Sequence, residues 1–518
     1  MLGSTHGTLT TDSRRARVIA CGERRPGPAV HGRVDDLDVG GRPLHADVPD
    51  LSRFFRPQSV AVIGASDAAG RPNTGMTRQL LDWAEHVGAR VHPVHPARPA
   101  VFGIPCAPSV AALPEQVDLA VLLIADPLPV IGELAEAKVK FAVAFASGFA
   151  ETGEAGAAAQ RRLADAARRS GLRLLGPNTN LNAFEHFRDD LTGPAIALIT
   201  QSGHQGRPVF ALQDLGIRLT HWAPTGNEAD LESADFISWF AEQPEVGAIA
   251  AYLEGLKDGR AFLLAADRAA RRGVPVVAVK VGRTETGART AASHTGKLTG
   301  ADDVVDAAMR QYGVIRVDAL DELQDTAALL ARARPPLAEG VAVYSISGGT
   351  GAHVADLATA AGLTLPALCA AKQAELHQWI PEYLGVANPV DNGGHPVGDA
   401  RGRKIIDALL ADPSIGTLIC PVTGPFPPLS DRLVRDLVDA AEETDKLVCV
   451  VWGSPVGTEP AYRDVLLGSS RVATFRTVGN CLRAVRAWFD HHRFTASYRS
   501  PFDEAPRTPS PPSARRPP

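Results

Sequence analysis

Three times along this chain an apolar run of five or six residues ends in a Gly/Ser turn and passes into a helical pattern. These are SVAVIGAS at 59–66, AIALITQSGHQG at 195–206 and GVAVYSISGGTG at 340–351. Short apolar runs of this kind, separated by helical segments, predict strands of a parallel, doubly wound α/β sheet covered on both faces. The first unit continues through RVHPVHP (90–96), DLAVLLIAD (118–126), KFAVAFASGFAETG (140–153) and LRLLGPN (172–178), so a Rossmann-like domain is expected over 49–190. The second and third resemble each other: a strand, a Ser-Gly turn, an amphipathic helix, then LGIRL (215–219) or AGLTL (361–365). This weak internal repeat predicts two flavodoxin-like domains, at 191–332 and 338–496, with ARARPPLAEG (331–340) as the linker.

A chain of 518 residues has room for about three such domains. Residues 1–48 lack periodicity and 497–518 are Pro-rich and polar, so both read as disordered tails. The net charge of -5 provides no basic excess for nucleic-acid binding. Six cysteines, at 21, 106, 369, 420, 449 and 481, form no CxxC pair and no zinc spacing with histidine, so reduced thiols and no metal site are expected. No apolar run approaches the roughly 18 residues of a membrane span and no signal-like segment opens the chain, which predicts a cytoplasmic location without membrane contact.

In a doubly wound sheet, ligands bind beyond the carboxyl ends of the strands, where Gly turns let phosphate approach backbone N–H groups. Residues 64–75 (GASDAAGRPNTG) form such a turn, short of a clean GxGxxG. An NAD site would place an acidic residue at the end of the second strand. This chain has VHPVHPAR there, with His95 and Arg98, which suits a phosphorylated ribose such as that of CoA. The same residues also suit a packing role for Gly64 and a solvated surface charge at Arg98.

The segment KVGRTETGARTAASHTGKLTGADD (280–303) follows the strand VPVVAVK (274–280) and carries His294 in a polar, Gly-containing stretch read as a mobile loop. A histidine that accepts phosphate needs one nucleophilic ring nitrogen and a carboxylate on the other. Glu254, after the apolar run VGAIAAYL (246–253), is expected on the same sheet edge. Gln201-Ser202-Gly203-His204 follows the 195–200 strand and is expected to offer phosphate the backbone N–H groups of a helix N-terminus. Taken singly, Glu254 also suits a surface carboxylate and Ser202 a plain N-cap.

Together FFRPQSVAVIGAS (54–66), VHPVHP (91–96), SGFAETGEAG (147–156), LLGPN (174–178), TQSG (200–203), TGNEAD (225–230), YLEG (252–255), SHTGKLTG (293–300) and NPVDNGG (388–394) resemble the nucleoside-diphosphate-forming acyl-CoA synthetases. More distantly they resemble the α subunit of succinyl-CoA synthetase. The resemblance implies that His294 is phosphorylated, that Glu254 stabilises it, and that Ser202 and Gly203, with His204 beside them, hold the phosphate. It implies CoA binding through Gly64, Ala65, Ser66, Arg71, His95, Arg98, Ala125, Ser147 and Gly148. It also implies a small carboxylic acid as substrate. ATP/ADP and Mg²⁺ would sit mainly on an ATP-grasp β-type partner chain in a hetero-oligomer.

The chain departs from the family pattern at His95, Asn180, His204 and Lys297, which leaves the acid unspecified. A CoA-binding regulatory protein and an acyl or carbamoyl transferase on the same fold are the alternatives.

Overall fold

The apolar runs become strands closed to solvent along their whole length: Ser59–Ile63, Ala195–Thr200 and Gly340–Ser345 are buried at every position. Each opens a five-stranded sheet in a computed structural model that describes residues 48–295, 301–454 and 457–503. The expected tails lie outside these residues except at 48 and 497–503.

The first sheet comprises Ser59–Ile63, Arg90–Val94, Leu119–Leu122, Phe141–Ala144 and Arg173–Leu175. The second comprises Ala195–Thr200, Leu219–Pro224, Val246–Leu253, Val276–Lys280 and Val314–Val317. The third comprises Gly340–Ser345, Val390–Asp391, Ile415–Val422, Leu447–Trp452 and Val472–Phe475. All pairings within the three sheets are parallel, and counting strands in chain order, each sheet is arranged 2-1-3-4-5. That order places strands one and three side by side with connections leaving in opposite directions, which opens a crevice at their carboxyl ends. In the second sheet, Gln201 and Glu254 stand just past these two strand ends.

Connecting helices form for local reasons that Gly259–Arg272 illustrates. The Asp258 side chain caps its N-terminus by accepting the Ala261 N–H at 3.0 Å, and Gly273, at φ 69°, closes it in the left-handed conformation. Between the caps, Phe262, Ala265, Ala266 and Ala269 are buried along one stripe.

The repeat departs from its expected form in the third unit. AGLTL (361–365) makes only an isolated bridge, Thr364 to Gly340, and the second strand position is taken by Val390–Asp391. Pro366 follows this segment and removes a ladder donor.

One core joins the first two sheets. Helix Ser233–Phe240 is buried at seven of its eight positions, with Phe236 6.0 Å from Phe54 and Trp239 stacked on Phe55 at 5.1 Å. Arg173 pairs with Asp230 and Asp235 across the same junction. The second and third sheets meet through the helices that follow their last strands, Leu320–Arg332 and Val478–Ser497.

At that helix pair Asn480 donates to Asp321 and Asp325, at 3.1 and 2.8 Å, while Arg483 holds Glu322 at 2.8 Å. Burial, aided by the neighbouring Asp321 and Glu322 charges, pushes Asp325 up to about 6. Its unfolded-state value is near 4, so the folded chain holds the extra proton between these values. Stability therefore falls as pH rises through this window. Asp325→Asn should raise the unfolding free energy at pH 7 by roughly 2 kcal/mol and flatten its change between about pH 4 and 6. Thermal or urea unfolding at pH 5 and 7 measures both.

The C-terminal segment expected to be disordered from 497 is packed as far as Asp503. Tyr498 donates to Asp267 at 2.6 Å, Phe502 stacks on Tyr312 at 5.6 Å, and Asp503 pairs with Arg271 at 2.8 Å. An aromatic pair and two polar anchors outweigh the composition of this stretch. Among the described residues no helix is long and apolar enough to cross a membrane.

Candidate functional site

Gln201 organises the crevice of the second sheet, although Ser202, Gly203 and His204 were the expected centre of this turn. Parallel pairing sets Thr200 opposite Tyr252, so the chain leaves its strand facing Glu254 and Gly255. The Gln201 side-chain oxygen accepts the Glu254 and Gly255 N–H groups at 2.6 and 2.9 Å. Its amide nitrogen donates to Gly255 O at 2.7 Å and to the Glu228 carboxylate at 3.1 Å. Gln201 is 4% exposed, so its loss would leave buried backbone groups unpaired, at about 1–3 kcal/mol each.

Glu228 is 1% exposed and sits at φ 58°, a conformation rare for a non-glycine residue. It also accepts from Thr225 Oγ1 at 2.9 Å and from the Ser233 hydroxyl and N–H at 2.5 and 3.1 Å. Those bonds fix TGNEAD beneath the Gln201 amide. Glu254, so held, is 6% exposed at the carboxyl end of its strand, in the neighbourhood expected for it.

The turn at Ser202–Gly203 is built differently from expectation. Helix begins only at Arg207 and lasts four residues, Arg207–Phe210, before tightening to a 3₁₀ turn at Ala211–Leu215. A four-residue helix with Pro208 in its first turn has little dipole and one donor fewer, so it does not put a long helix N-terminus behind this turn. Ser202 and Gly203 are half-buried and His204 is exposed. A Cβ on Gly203 would stand 1.4 Å from Asn180 Nδ2, so a side chain here would have to displace the Asn180 amide. Asn182 donates to the Gly203 carbonyl and accepts from Arg207 at 2.6 Å, so Asn180 and Asn182 brace the turn from the first unit's last loop.

His294 belongs to a helix, Glu285–Thr295, and not to the open loop expected from its glycines. Thr284 Oγ1 accepts the Gly287 N–H at 3.1 Å, Glu285 pairs with Arg289 at i,i+4, and Ala288, Ala291 and Ala292 favour the helical conformation. The His294 backbone lies in the last turn. The side chains of 292–295 and residues 296–300, with Lys297 among them, lie outside the described residues. Strand Val276–Lys280, which leads into this helix, is the neighbour of the Glu254 strand, with Lys280 opposite Leu253.

At the first sheet, the expected CoA residues lie along the carboxyl edge. Gly64, at φ 83°, abuts Leu123: a Cβ there would stand 2.8 Å from its carbonyl oxygen, so strand packing already demands glycine. The Ser66 N–H donates to Thr77 Oγ1 at 3.2 Å, Ala65 is buried, and Arg71 precedes helix Pro72–Val87. Arg98 is not a free surface charge; it pairs with Asp67 from the Gly turn, whose other oxygen accepts the Phe102 N–H at 3.2 Å. His95 Nδ1 accepts the Ala97 N–H at 3.1 Å. Ala125, Ser147 and Gly148 are exposed, and Gly148 has φ 101° with open space on its Cβ side. A row of exposed backbone, small residues and two cationic side chains at strand ends fits an extended phosphate-bearing ligand.

Glu151 ties the two edges together, and sequence reading missed it. It accepts the Gly148 and Phe149 N–H groups at 2.6 and 3.2 Å and the Asn227 amide at 2.5 Å. Burial opposes its charge, but the bonds from Asn227, Gly148 and Phe149 prevail and hold its carboxyl below the ordinary range. Helix Glu285–Thr295 packs near the Ala150–Thr152 turn that Glu151 anchors. Glu151→Ala should free that turn and raise KM for CoA by about 5- to 20-fold with kcat less affected, as steady-state kinetics would record.

The fold and edge chemistry define a CoA-binding domain followed by flavodoxin-like units, and the family comparisons agree. Residues 58–184 match a CoA binding domain and residues 193–330 a succinyl-CoA ligase like flavodoxin domain. The α subunit of ADP-forming acetate–CoA ligase I from Pyrococcus furiosus is 33% identical over 87% of this chain and 99% of its own length. The α subunit of ligase II from the same organism is 34% identical over 71% of this chain and 81% of its own. ADP-forming acetate–CoA ligase I of Archaeoglobus fulgidus is 30% identical, and the chain spans 65% of it. Among solved structures, acetyl-coenzyme A synthetase 1 of Candidatus Korarchaeum cryptofilum superposes with a TM-score of 0.76 at 28% identity, covering 86% of this chain and 98% of that one. The chain belongs to the family of ADP-forming acyl-CoA ligases, on the side of their α subunits.

Proposed function

We propose that this chain is the α-type subunit of an ADP-forming acyl-CoA synthetase, catalysing acid + CoA + ATP ⇌ acyl-CoA + ADP + phosphate. What carries the reading is that Glu254 is buried at the second sheet's switch point, one strand away from the segment that leads to His294. In this reading His294 takes phosphate from an acyl phosphate, or gives it to one. Glu254 holds the ring and supports its positive charge, and the Ser202–Gly203 turn offers N–H groups to the phosphoryl oxygens.

Gln201 and Glu228 keep Glu254 in place. Gly64–Ser66, Arg71, His95, Arg98, Ala125 and Ser147–Gly148 would hold CoA along the first sheet's edge, where it supplies the acceptor thiol. A partner of the ATP-grasp class would bring ATP and Mg²⁺, in keeping with the naming of two relatives as α subunits.

The test is CoA-dependent ADP release by the chain with its ATP-grasp partner across a panel of carboxylic acids. Release that needs CoA and one class of acid is expected. CoA binding without any acid-dependent ADP release would defeat the proposal and favour a regulatory role.

A further inference from the structure

Beneath the crevice lies a lysine that the phosphate-relay reading does not use. Lys280 ends strand Val276–Lys280 and is 2% exposed. Its Nζ donates to the Glu254 carbonyl at 3.2 Å and to its neighbour Val281 at 2.5 Å. Among the described residues no carboxylate forms an ion pair with it, although Glu254 and Asp302 stand near enough to act on its charge. Burying an ammonium group on two carbonyls alone is costly, and an apolar side chain would fill a strand end more cheaply. On the adjacent strand Val314–Val317 stands a second cation, Arg316, whose side chain is 7% exposed and donates to the Lys280 carbonyl at 3.4 Å and to Asp302. Among the described residues its Nε and Nη1 find no hydrogen-bond partner, although Nη1 lies 3.5 Å from Asp306.

We propose that Lys280 is a positioning residue of the phosphate relay: its ammonium group fastens the strand end bearing Glu254 to the root of the segment bearing His294, and sets a fixed positive charge beneath both. The proposal rests on the relay described above. Two roles are thereby separable. The tie needs only N–H donors, which a neutral amine retains, whereas the charge is lost on deprotonation. The charged groups facing Lys280 are Glu254 from the neighbouring strand end, Arg316 from the strand on its other side and Asp302 from the helix after the His294 segment. Burial, then Arg316, bring Lys280 down to about 8, against the opposing pull of Asp302 and Glu254. The charge therefore fades as pH rises through that value.

The experiment is label transfer from γ-labelled ATP to the chain in the presence of its ATP-grasp partner and without CoA, measured across about pH 7 to 9. Wild type should label well below pH 8 and progressively less above it. Lys280→Met should label about 10- to 100-fold more slowly throughout and lose the alkaline decline. CoA binding at the first sheet, measured by calorimetry, should be unchanged and reports that the variant is folded. Equal labelling of both proteins at every pH would overturn the role of Lys280 while leaving the relay intact, and a wild type that takes no label would defeat the relay itself. Should Lys280→Met fail to fold, the wild-type profile decides: labelling that is flat across pH 8 contradicts the proposal.

Discussion

His294→Ala should abolish turnover, lowering kcat by about 10⁴-fold or more, because the proposed relay passes the phosphoryl group through this one imidazole. In the proposed relay the ring nitrogen forms the P–N bond and leaves in the next step, so its loss would remove a covalent intermediate rather than weaken a contact. Affinity for CoA should stay within about twofold of wild type, since the first sheet's edge is built from separate strands. Steady-state ADP release with the partner, together with calorimetric CoA binding, checks both halves. Residual turnover near the wild-type level would point to an acyl transfer that bypasses phosphohistidine.

Glu254→Gln should lower kcat by about 10²- to 10³-fold with little change in KM for CoA. The substitution keeps volume and removes the negative charge expected to support an imidazole that turns cationic as it takes phosphate. The Glu254 backbone N–H is already held by Gln201 at 2.6 Å, so the strand end should remain in place and the loss should be electrostatic. Single-turnover phosphorylation of His294, followed by rapid quench, should show the defect in the chemical step. Unaltered phosphorylation would make Glu254 a structural residue only.

The strands were readable because runs such as SVAVI and AIALIT are buried on both faces, and burial of that kind leaves a continuous apolar signature. Where pairing rather than composition decides, reading failed. AGLTL has the apolar content of a strand, yet the sheet takes Val390–Asp391 in its place. The Glu285–Thr295 helix was hidden by Gly287 and its threonines, although Thr284 before it and the alanines within it were visible signals.

The site was legible in part for the same reason. Glu254 directly follows an apolar run, so its place at a strand's carboxyl end can be assigned from order alone, as can the neighbouring strand that leads into the His294 segment. Gln201 matters because of partners about fifty residues away that only the parallel register brings opposite it. Glu151 depends on Asn227 across two units, and Arg98 on Asp67 in an earlier turn. None of these pairings leaves a mark in local periodicity.

The most direct test of the account is to incubate the chain with the ATP-grasp partner proposed for it and γ-labelled ATP, without CoA, and to map the label by peptide mass spectrometry under conditions that preserve phosphohistidine. The account predicts label on His294, discharged when CoA and the acid are added. Label on another residue, or no label on this chain while the pair still turns over, would contradict it.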